Sequence, residues 1–199
     1  MIYDVPAIVA LAKACAPAIA TEAVVPLVLT ESGGDPLQIN VNKGPRVRAR
    51  SSTEGAAIVR RYMAAGYTVD IGLAQINSAN LSRLGVTVEQ AFEPCTNISL
   101  ASSVLQANFD AASRYYDGLD AISATYSLYN TGTMTRGMRN GYVGRVWSRA
   151  LSLGSIPAAP ALPVAPLRIA TTTVAAKPMS RSDDWVVGQV DANEIEVFK

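Results

Sequence analysis

The segment Thr30-Glu31-Ser32-Gly33-Gly34 ends an apolar helical run with an acidic residue and a glycine pair. Because glycine commonly stops a helix, the segment predicts a helix end at this point. The C-terminal end of a helix carries partial negative charge, which disfavours an acidic side chain there. A residue that breaks a local rule is a candidate functional residue, so Glu31 is our first candidate. The same field, with partial burial, would raise its pKa towards the range in which a carboxyl group donates a proton near neutrality.

The chain of 199 residues contains no histidine. This absence excludes Ser-His-Asp and Cys-His catalysis and every metal site that needs a histidine ligand. Acid–base chemistry must therefore rest on Asp, Glu, Tyr, Lys or Cys. We predict no metal and no cofactor. The net charge of +1 gives no field that would indicate nucleic acid as a partner.

Helical spacing of apolar residues dominates the chain up to residue 153. Short extended segments are predicted within residues 33–50, as a hairpin, and at 67–70. Asn97 is predicted to cap the longest helix, and Pro26 to bend or loosen the helix that leads to Glu31. The fold class is therefore α+β and predominantly α. Helices are predicted at about residues 5–16, 21–31, 51–65, 87–92, 98–116, 119–129 and 142–153.

The composition changes after Gly154. Residues 1–153 are predicted to form one domain, and residues 154–182, rich in Pro, Ala, Thr and Ser, an extended linker. Residues 183–199 contain too few apolar side chains to fold alone. They form either an interaction peptide or a disordered tail.

Two cysteines, Cys15 and Cys95, lie far apart in the sequence and match no metal-binding motif. They form either a disulfide, which would indicate an oxidising compartment, or two unrelated buried thiols.

The residues from Met1 onward show no secretory signal, so the chain either begins near a mature terminus or uses another export route. The apolar run 5–20 is broken by Lys13 and is too short to span a bilayer.

Three segments, at residues 31–34, 72–77 and 126–132, resemble in their order and separation the lysozyme-like lytic transglycosylases. The similarity is greatest to the VirB1-type enzymes of type IV secretion and conjugation systems, and it covers about residues 5–150. The segments read Glu31-Ser32-Gly33-Gly34, Gly72-Leu73-Ala74-Gln75-Ile76-Asn77 and Tyr126-Ser127-Leu128-Tyr129-Asn130-Thr131-Gly132. The surroundings that support the branch are Cys15-Ala16-Pro17, Asp70-Ile71 and Glu93-Pro94-Cys95-Thr96-Asn97.

The resemblance implies a lysozyme-like fold and a glycan substrate. The enzyme would cut peptidoglycan at the β-1,4 bond between N-acetylmuramic acid and N-acetylglucosamine. Glu31 would protonate the glycosidic oxygen and then act as base towards the 6-hydroxyl of the muramoyl sugar, giving a 1,6-anhydro product. Ordinary glycosidases need two carboxylates, whereas this scheme needs one. Asp70 is the nearest second carboxylate, and we interpret it as structural or as orienting the cleft.

The resemblance also suggests supporting residues for the substrate site. Ser32 either forms a hydrogen bond near the catalytic carboxyl group or caps the helix end. Gln75 and Asn77 either bind sugar amides and hydroxyls or hold a loop together. Tyr129 would face the cleft beside Glu31. The two cysteines match the cysteine positions of this branch, which implies a disulfide between them.

The resemblance implies a periplasmic location and two partners. The protein would bind peptidoglycan glycan strands, and its C-terminal tail would contact type IV secretion components; no nucleic acid partner and no membrane span are predicted. Two alternatives remain open at this point. One is a muramidase of the same fold, in which water attacks, and the other is a non-catalytic assembly factor that clamps glycan.

Overall fold

The structure, a computed structural model, describes residues 1–162. The predominantly α-helical fold with a small sheet that we predict is confirmed. The tail at 183–199 and the linker beyond residue 162 lie outside the described residues. The helices are α1 (Val5–Cys15), α2 (Thr21–Glu31), α3 (Ser52–Ala64), α4 (Val88–Phe92), α5 (Pro94–Ala112), α6 (Gly118–Thr131), α7 (Arg136–Arg139) and α8 (Tyr142–Ser152), and the strands are β1 (Ile39–Val41), β2 (Val69–Ile71) and β3 (Ile76–Asn77).

The chain divides into two compact units. The first holds Met1–Val104 and Arg145–Ala159, and its core includes the fully buried side chains of Ile8 and Leu27. The second includes Leu105–Gly144, which contains α6 and α7. The domain boundaries that we place at residues 153 and 182 stay predictions.

The three strands form an antiparallel sheet in the order β1-β2-β3. In the sheet β1 pairs with β2, with Ile39 opposite Ile71, and the hairpin predicted within residues 33–50 is limited to a single antiparallel bridge. Within that stretch there is an isolated bridge between Asn40 and Arg46. The inward side chains of β1 and β2 are buried, and this burial favours the distant strand over a local partner.

Helix α2 runs through Pro26 and reaches Glu31 without a break. The N–H that proline lacks would have bonded to the carbonyl of Glu22, an exposed residue in the first turn of the helix. The Pro26 carbonyl accepts a hydrogen bond from Thr30 Oγ1 at 2.8 Å. The helix is therefore not loosened at Pro26, and the alternative effect, a bend, stays a prediction.

Cys15 and Cys95 form a disulfide, which confirms the pairing implied by the resemblance. The bond joins the last residue of α1 to the first turn of α5. The prediction that Asn97 caps the long helix, with Cys95 before it, is wrong, because both residues lie inside the helix. The helix begins at Pro94, because proline suits the first helical position, where no N–H bond is required.

No helix within residues 1–162 is long and apolar enough to cross a membrane.

Candidate active site

Glu31 is the last residue of α2, as the sequence predicts, and Ser32 follows it at the C-cap. Its side chain is partly exposed, so it is both held by the helix and reachable from solvent. The acidic group therefore lies where the partial negative charge of the helix end is greatest. This placement is what made Glu31 a functional candidate from sequence.

The Ser32 hydroxyl fastens the end of α2 to the turn at residues 72–75. It donates a hydrogen bond to the Leu73 carbonyl at 2.7 Å and lies 3.3 Å from the Val28 carbonyl. It also accepts a hydrogen bond from the Gly34 N–H at 3.1 Å. These bonds place the Ser32 hydroxyl at the helix end, and its role near the catalytic carboxyl group stays a prediction. Glu31 is thereby set beside a turn that belongs to the sheet.

Position 34 requires a glycine, because the backbone there lies very close to the backbone of Tyr3. Its φ is +90°, and a Cβ atom there would lie 2.3 Å from the Tyr3 carbonyl oxygen. The Tyr3 N–H donates to the Gly34 carbonyl at 2.8 Å. The segment after Glu31 is therefore clamped against the start of the chain, which limits how far the end of α2 can move.

The turn between β2 and β3 contains two left-handed residues, Gly72 with φ +74° and Gln75 with φ +52°. For a residue with a side chain this conformation costs about 1–2 kcal/mol. The Gln75 amide group offsets that cost by donating to the Gly72 carbonyl at 2.9 Å and to the Gln38 carbonyl at 3.2 Å. Gln75 thus holds the loop together, and its role as a sugar ligand stays a prediction.

Asn97, which the sequence predicts as a helix cap, has a different role in this region. Its side chain is fully buried, and its Oδ1 accepts the Ala74 N–H at 2.7 Å. Its Nδ2 donates to the Ile71 carbonyl at 2.9 Å and to the Ala91 carbonyl at 2.7 Å. One side chain from α5 therefore satisfies three backbone groups: one in the 72–75 turn that Ser32 contacts, one at the end of β2 and one in α4. A helix cap and an internal anchor look alike in sequence, so no local signal distinguishes them.

We expect Asn97→Ala to lower the free energy of unfolding by about 3 kcal/mol, because each of three buried backbone groups loses its partner. Urea unfolding measures the change. The matched control is Asn108→Ala on the same helix, since Asn108 is also buried but its Nδ2 has no partner among the described residues. We expect that control to lose about 1 kcal/mol. Equal losses in the two variants would contradict the anchoring role.

Asn77 and Asp70 face each other across β3 and β2. Asn77 Nδ2 donates to Asp70 Oδ1 at 2.6 Å, and Asn77 Oδ1 accepts the Ala79 N–H at 2.9 Å. Asn77 is 3% exposed, so its amide serves the fold, and its role as a sugar ligand stays a prediction. Burial raises the pKa of Asp70 above its usual value, and hydrogen bonds from asparagines oppose that shift only in part.

Tyr129 lies on α6 and is 3% exposed. Its position towards the substrate stays a prediction from the resemblance. The neighbouring Ser127, which sequence reasoning did not single out, donates to the Thr133 carbonyl at 2.6 Å and accepts the Gly137 N–H at 2.8 Å. Ser127 therefore fixes the chain that follows α6.

In the described part of the chain, no three His, Cys, Asp or Glu side chains are placed to hold a metal ion.

Comparison with known proteins identifies a family whose matched region includes the three segments described above. The family described as Transglycosylase SLT domain matches residues 9–147, a range that includes Glu31, the 72–77 turn and the 126–132 segment. The chain is similar to "Protein virB1" of Rhizobium radiobacter, with 36% identity over 143 residues, which are 71% of this chain and 60% of that protein. It is also similar to "Type IV secretion system protein virB1" of Brucella abortus biovar 1 (strain 9-941), with 34% identity over 132 residues, 65% of this chain and 56% of that protein.

The chain thus spans less than two thirds of the length of these curated relatives. No solved structure matches it. The family match nevertheless covers more than half of the chain and contains all three segments on which the resemblance rests. The chain therefore belongs to the Transglycosylase SLT domain family.

Proposed function

We propose that this protein is a peptidoglycan lytic transglycosylase with Glu31 as its acid and base. The observation that carries the proposal is the placement of a partly exposed carboxyl group at the end of α2, inside the residues matched by the SLT family. The end of α2 is fixed on two sides, by Ser32 to the 72–75 turn and by Gly34 to Tyr3. Such positioning is what acid–base catalysis requires of its proton donor.

The reaction proceeds in two proton transfers through the same carboxyl group. Protonated Glu31 gives its proton to the glycosidic oxygen as the bond to the anomeric carbon of the muramoyl sugar breaks. The resulting carboxylate then takes the proton of that sugar's 6-hydroxyl, whose oxygen forms the new bond to the anomeric carbon. Glu31 ends protonated, as it began, and no water is consumed. One carboxyl group is therefore enough, and the hydrogen-bonded Asp70 is not needed as a nucleophile.

Product analysis tests the proposed reaction. The purified protein is incubated with peptidoglycan sacculi, and the soluble fragments are analysed by mass spectrometry. We expect fragments that end in 1,6-anhydro-muramic acid. Fragments with reducing ends would assign a muramidase instead, and an absence of soluble fragments together with sedimentation on sacculi would assign a glycan-binding assembly factor.

The setting that we propose is the periplasm, where the enzyme opens the cell wall locally for a type IV secretion or conjugation apparatus. The support is the name of the Brucella relative, "Type IV secretion system protein virB1", which assigns that protein to a type IV secretion system. The bond between Cys15 and Cys95 agrees with this setting, because disulfides persist in oxidising compartments.

We further propose that the C-terminal residues contact components of that apparatus. Deleting residues 155–199 should leave cleavage of purified sacculi intact. In cells, the deletion should lower the transfer of substrates by the type IV secretion or conjugation apparatus. The truncated and full-length proteins are compared in both assays, at equal expression level. A loss of cleavage by the purified truncated protein would contradict the proposal.

A further inference from the structure

The segment that follows β1 carries a concentrated positive charge. Residues 36–53 contain no acidic residue and four cations, which are Lys43, Arg46, Arg48 and Arg50. All four are exposed, whereas Val47 and Ala49, which separate the arginines, are half-buried. This alternation directs the three arginines to solvent. We call residues 43–50 the basic loop.

The charge of the basic loop is not neutralised within residues 1–162, where none of its four cations lies at ion-pair distance from an acid. The next acid along the chain, Glu54, accepts a hydrogen bond from the Arg50 backbone N–H at 2.8 Å. The backbone of the loop is held by an antiparallel bridge between Asn40 and Arg46. Neighbouring like charges on a held backbone repel one another, so an anionic partner would stabilise the loop.

An exposed run without charge lies at the end of α3. Residues 63–67 are all exposed, and they read Met-Ala-Ala-Gly-Tyr. Met63 is 38% exposed and Tyr67 is 39% exposed. Exposed apolar side chains rimmed by polar ones mark contact sites for proteins or membranes. We call residues 63–67 the apolar run.

Contacts between the basic loop and the apolar run make them one surface. A Cβ atom at Gly44 would lie 3.4 Å from Tyr67 Cδ1, so the tyrosine ring lies against the loop. Just before the loop, the Asn42 N–H donates to the Thr68 carbonyl at 3.0 Å, and Asn42 Nδ2 donates to Thr68 Oγ1 at 3.2 Å. The Tyr67 ring also meets the Tyr62 ring edge to face, with 5.7 Å between centroids. Cations and apolar side chains are therefore neighbours in a single patch.

This combination matches the surface of an anionic phospholipid membrane. Lys and Arg side chains are attracted to anionic lipid headgroups. Tyrosine is enriched at membrane–water interfaces, because its ring is apolar and its hydroxyl is polar. A soluble polyanion would contact the cations and leave the apolar run in water, whereas a membrane interface receives both.

We propose that the basic loop and the apolar run dock this protein on an anionic phospholipid surface. The arginines contact lipid phosphates, while Met63 and Tyr67 enter the headgroup region. The contact is peripheral and weakens with salt, because salt screens exposed charges. The patch does not include Glu31 or Ser32, so docking does not depend on the proposed cleavage reaction.

Vesicle sedimentation of the full-length protein tests the docking. The probes are vesicles of equal parts phosphatidylglycerol and phosphatidylcholine, and vesicles of phosphatidylcholine alone. We expect binding to the anionic vesicles only, and its loss when salt rises from about 0.1 M to about 1 M, since the Debye length falls from about 10 Å to about 3 Å. Equal binding to the two kinds of vesicle would overturn the proposal.

A triple variant removes the arginines of the basic loop: Arg46→Gln, Arg48→Gln and Arg50→Gln. We expect its Kd for anionic vesicles to rise about 100-fold, because each cation near the surface contributes to binding. The matched control removes three exposed cations elsewhere: Lys13→Gln, Arg139→Gln and Arg149→Gln. Its Kd should change less than about threefold, since it alters only the net charge. Equal rises in the two triple variants would overturn the patch as the docking surface.

A double variant, Met63→Ser with Tyr67→Ser, separates a membrane from a soluble polyanion. Its Kd for anionic vesicles should rise about tenfold, because the interface no longer buries these apolar side chains. The control pair is Phe109→Ser with Leu151→Ser, which are 39% and 44% exposed and should leave Kd unchanged. An unchanged Kd in the first pair would overturn the membrane as the partner.

Sedimentation with purified sacculi separates the membrane from the cell wall. The triple arginine variant should bind sacculi as the wild type does. Loss of sacculus binding with vesicle binding retained would assign the patch to the wall and overturn the proposal. Thermal unfolding monitors the fold of every variant, and if the pair with Tyr67→Ser does not fold, Met63→Ser compared with Leu151→Ser decides.

Discussion

Glu31→Gln is expected to lower kcat on peptidoglycan by about 10³–10⁴-fold, at the upper end of what one acid–base group contributes. The amide has nearly the shape of the carboxyl group but can neither give a proton to the glycosidic oxygen nor take one from the 6-hydroxyl. Both proton transfers in the proposed reaction use this one group. The substitution therefore removes the acid of the first transfer and the base of the second. Release of anhydro fragments from sacculi, followed over time by mass spectrometry, measures the loss.

The matched control is Glu22→Gln, which makes the same chemical change in the exposed first turn of the same helix. It should leave kcat and the thermal midpoint unchanged. Binding of the glycan to Glu31→Gln should also persist, because the change removes a proton donor and leaves the fold intact. A Glu31→Gln protein that cleared sacculi as fast as the wild type would exclude Glu31 as the catalytic group.

Loss of the Cys15–Cys95 disulfide is expected to cost about 4–5 kcal/mol of unfolding free energy, because the bond closes a loop with a sequence separation of 80 residues. In the chain-entropy model, the bond stabilises by restricting the unfolded chain. The loss should also weaken the site, since Cys95 lies two residues before Asn97, which anchors the 72–75 turn. Urea unfolding of the wild type with and without reductant measures the effect.

The double variant Cys15→Ser with Cys95→Ser provides the control. It should match the reduced wild type and should not respond to reductant. A free-thiol titration of the denatured wild type should find no thiol until reductant is added. If reduction changed the unfolding free energy by less than about 1 kcal/mol, the long-loop argument would be wrong for this chain.

Local sequence rules predicted the helices well where apolar periodicity and a stop signal agreed. The glycine pair after Glu31 and the glycine after α6 both mark helix ends, because glycine adopts the left-handed conformation without a penalty. The rules failed where a side chain had a distant partner. Asn97 is predicted to cap a helix but bonds to backbone groups of Ile71 and Ala74 instead. The hairpin predicted within residues 33–50 is limited to one bridge, because β1 pairs with β2.

The candidate site shows the same division. The sequence by itself determined that Glu31 ends a helix, that no histidine chemistry is available, and that three ordered segments match one enzyme family. Only the tertiary structure decided that Ser32 joins α2 to the 72–75 turn, that Asn97 anchors this turn, and that Asp70 lies between Asn40 and Asn77. The physical reason is that helix ends follow from backbone preferences within a few residues. Buried polar groups instead take whichever partner the completed fold brings within hydrogen-bond distance.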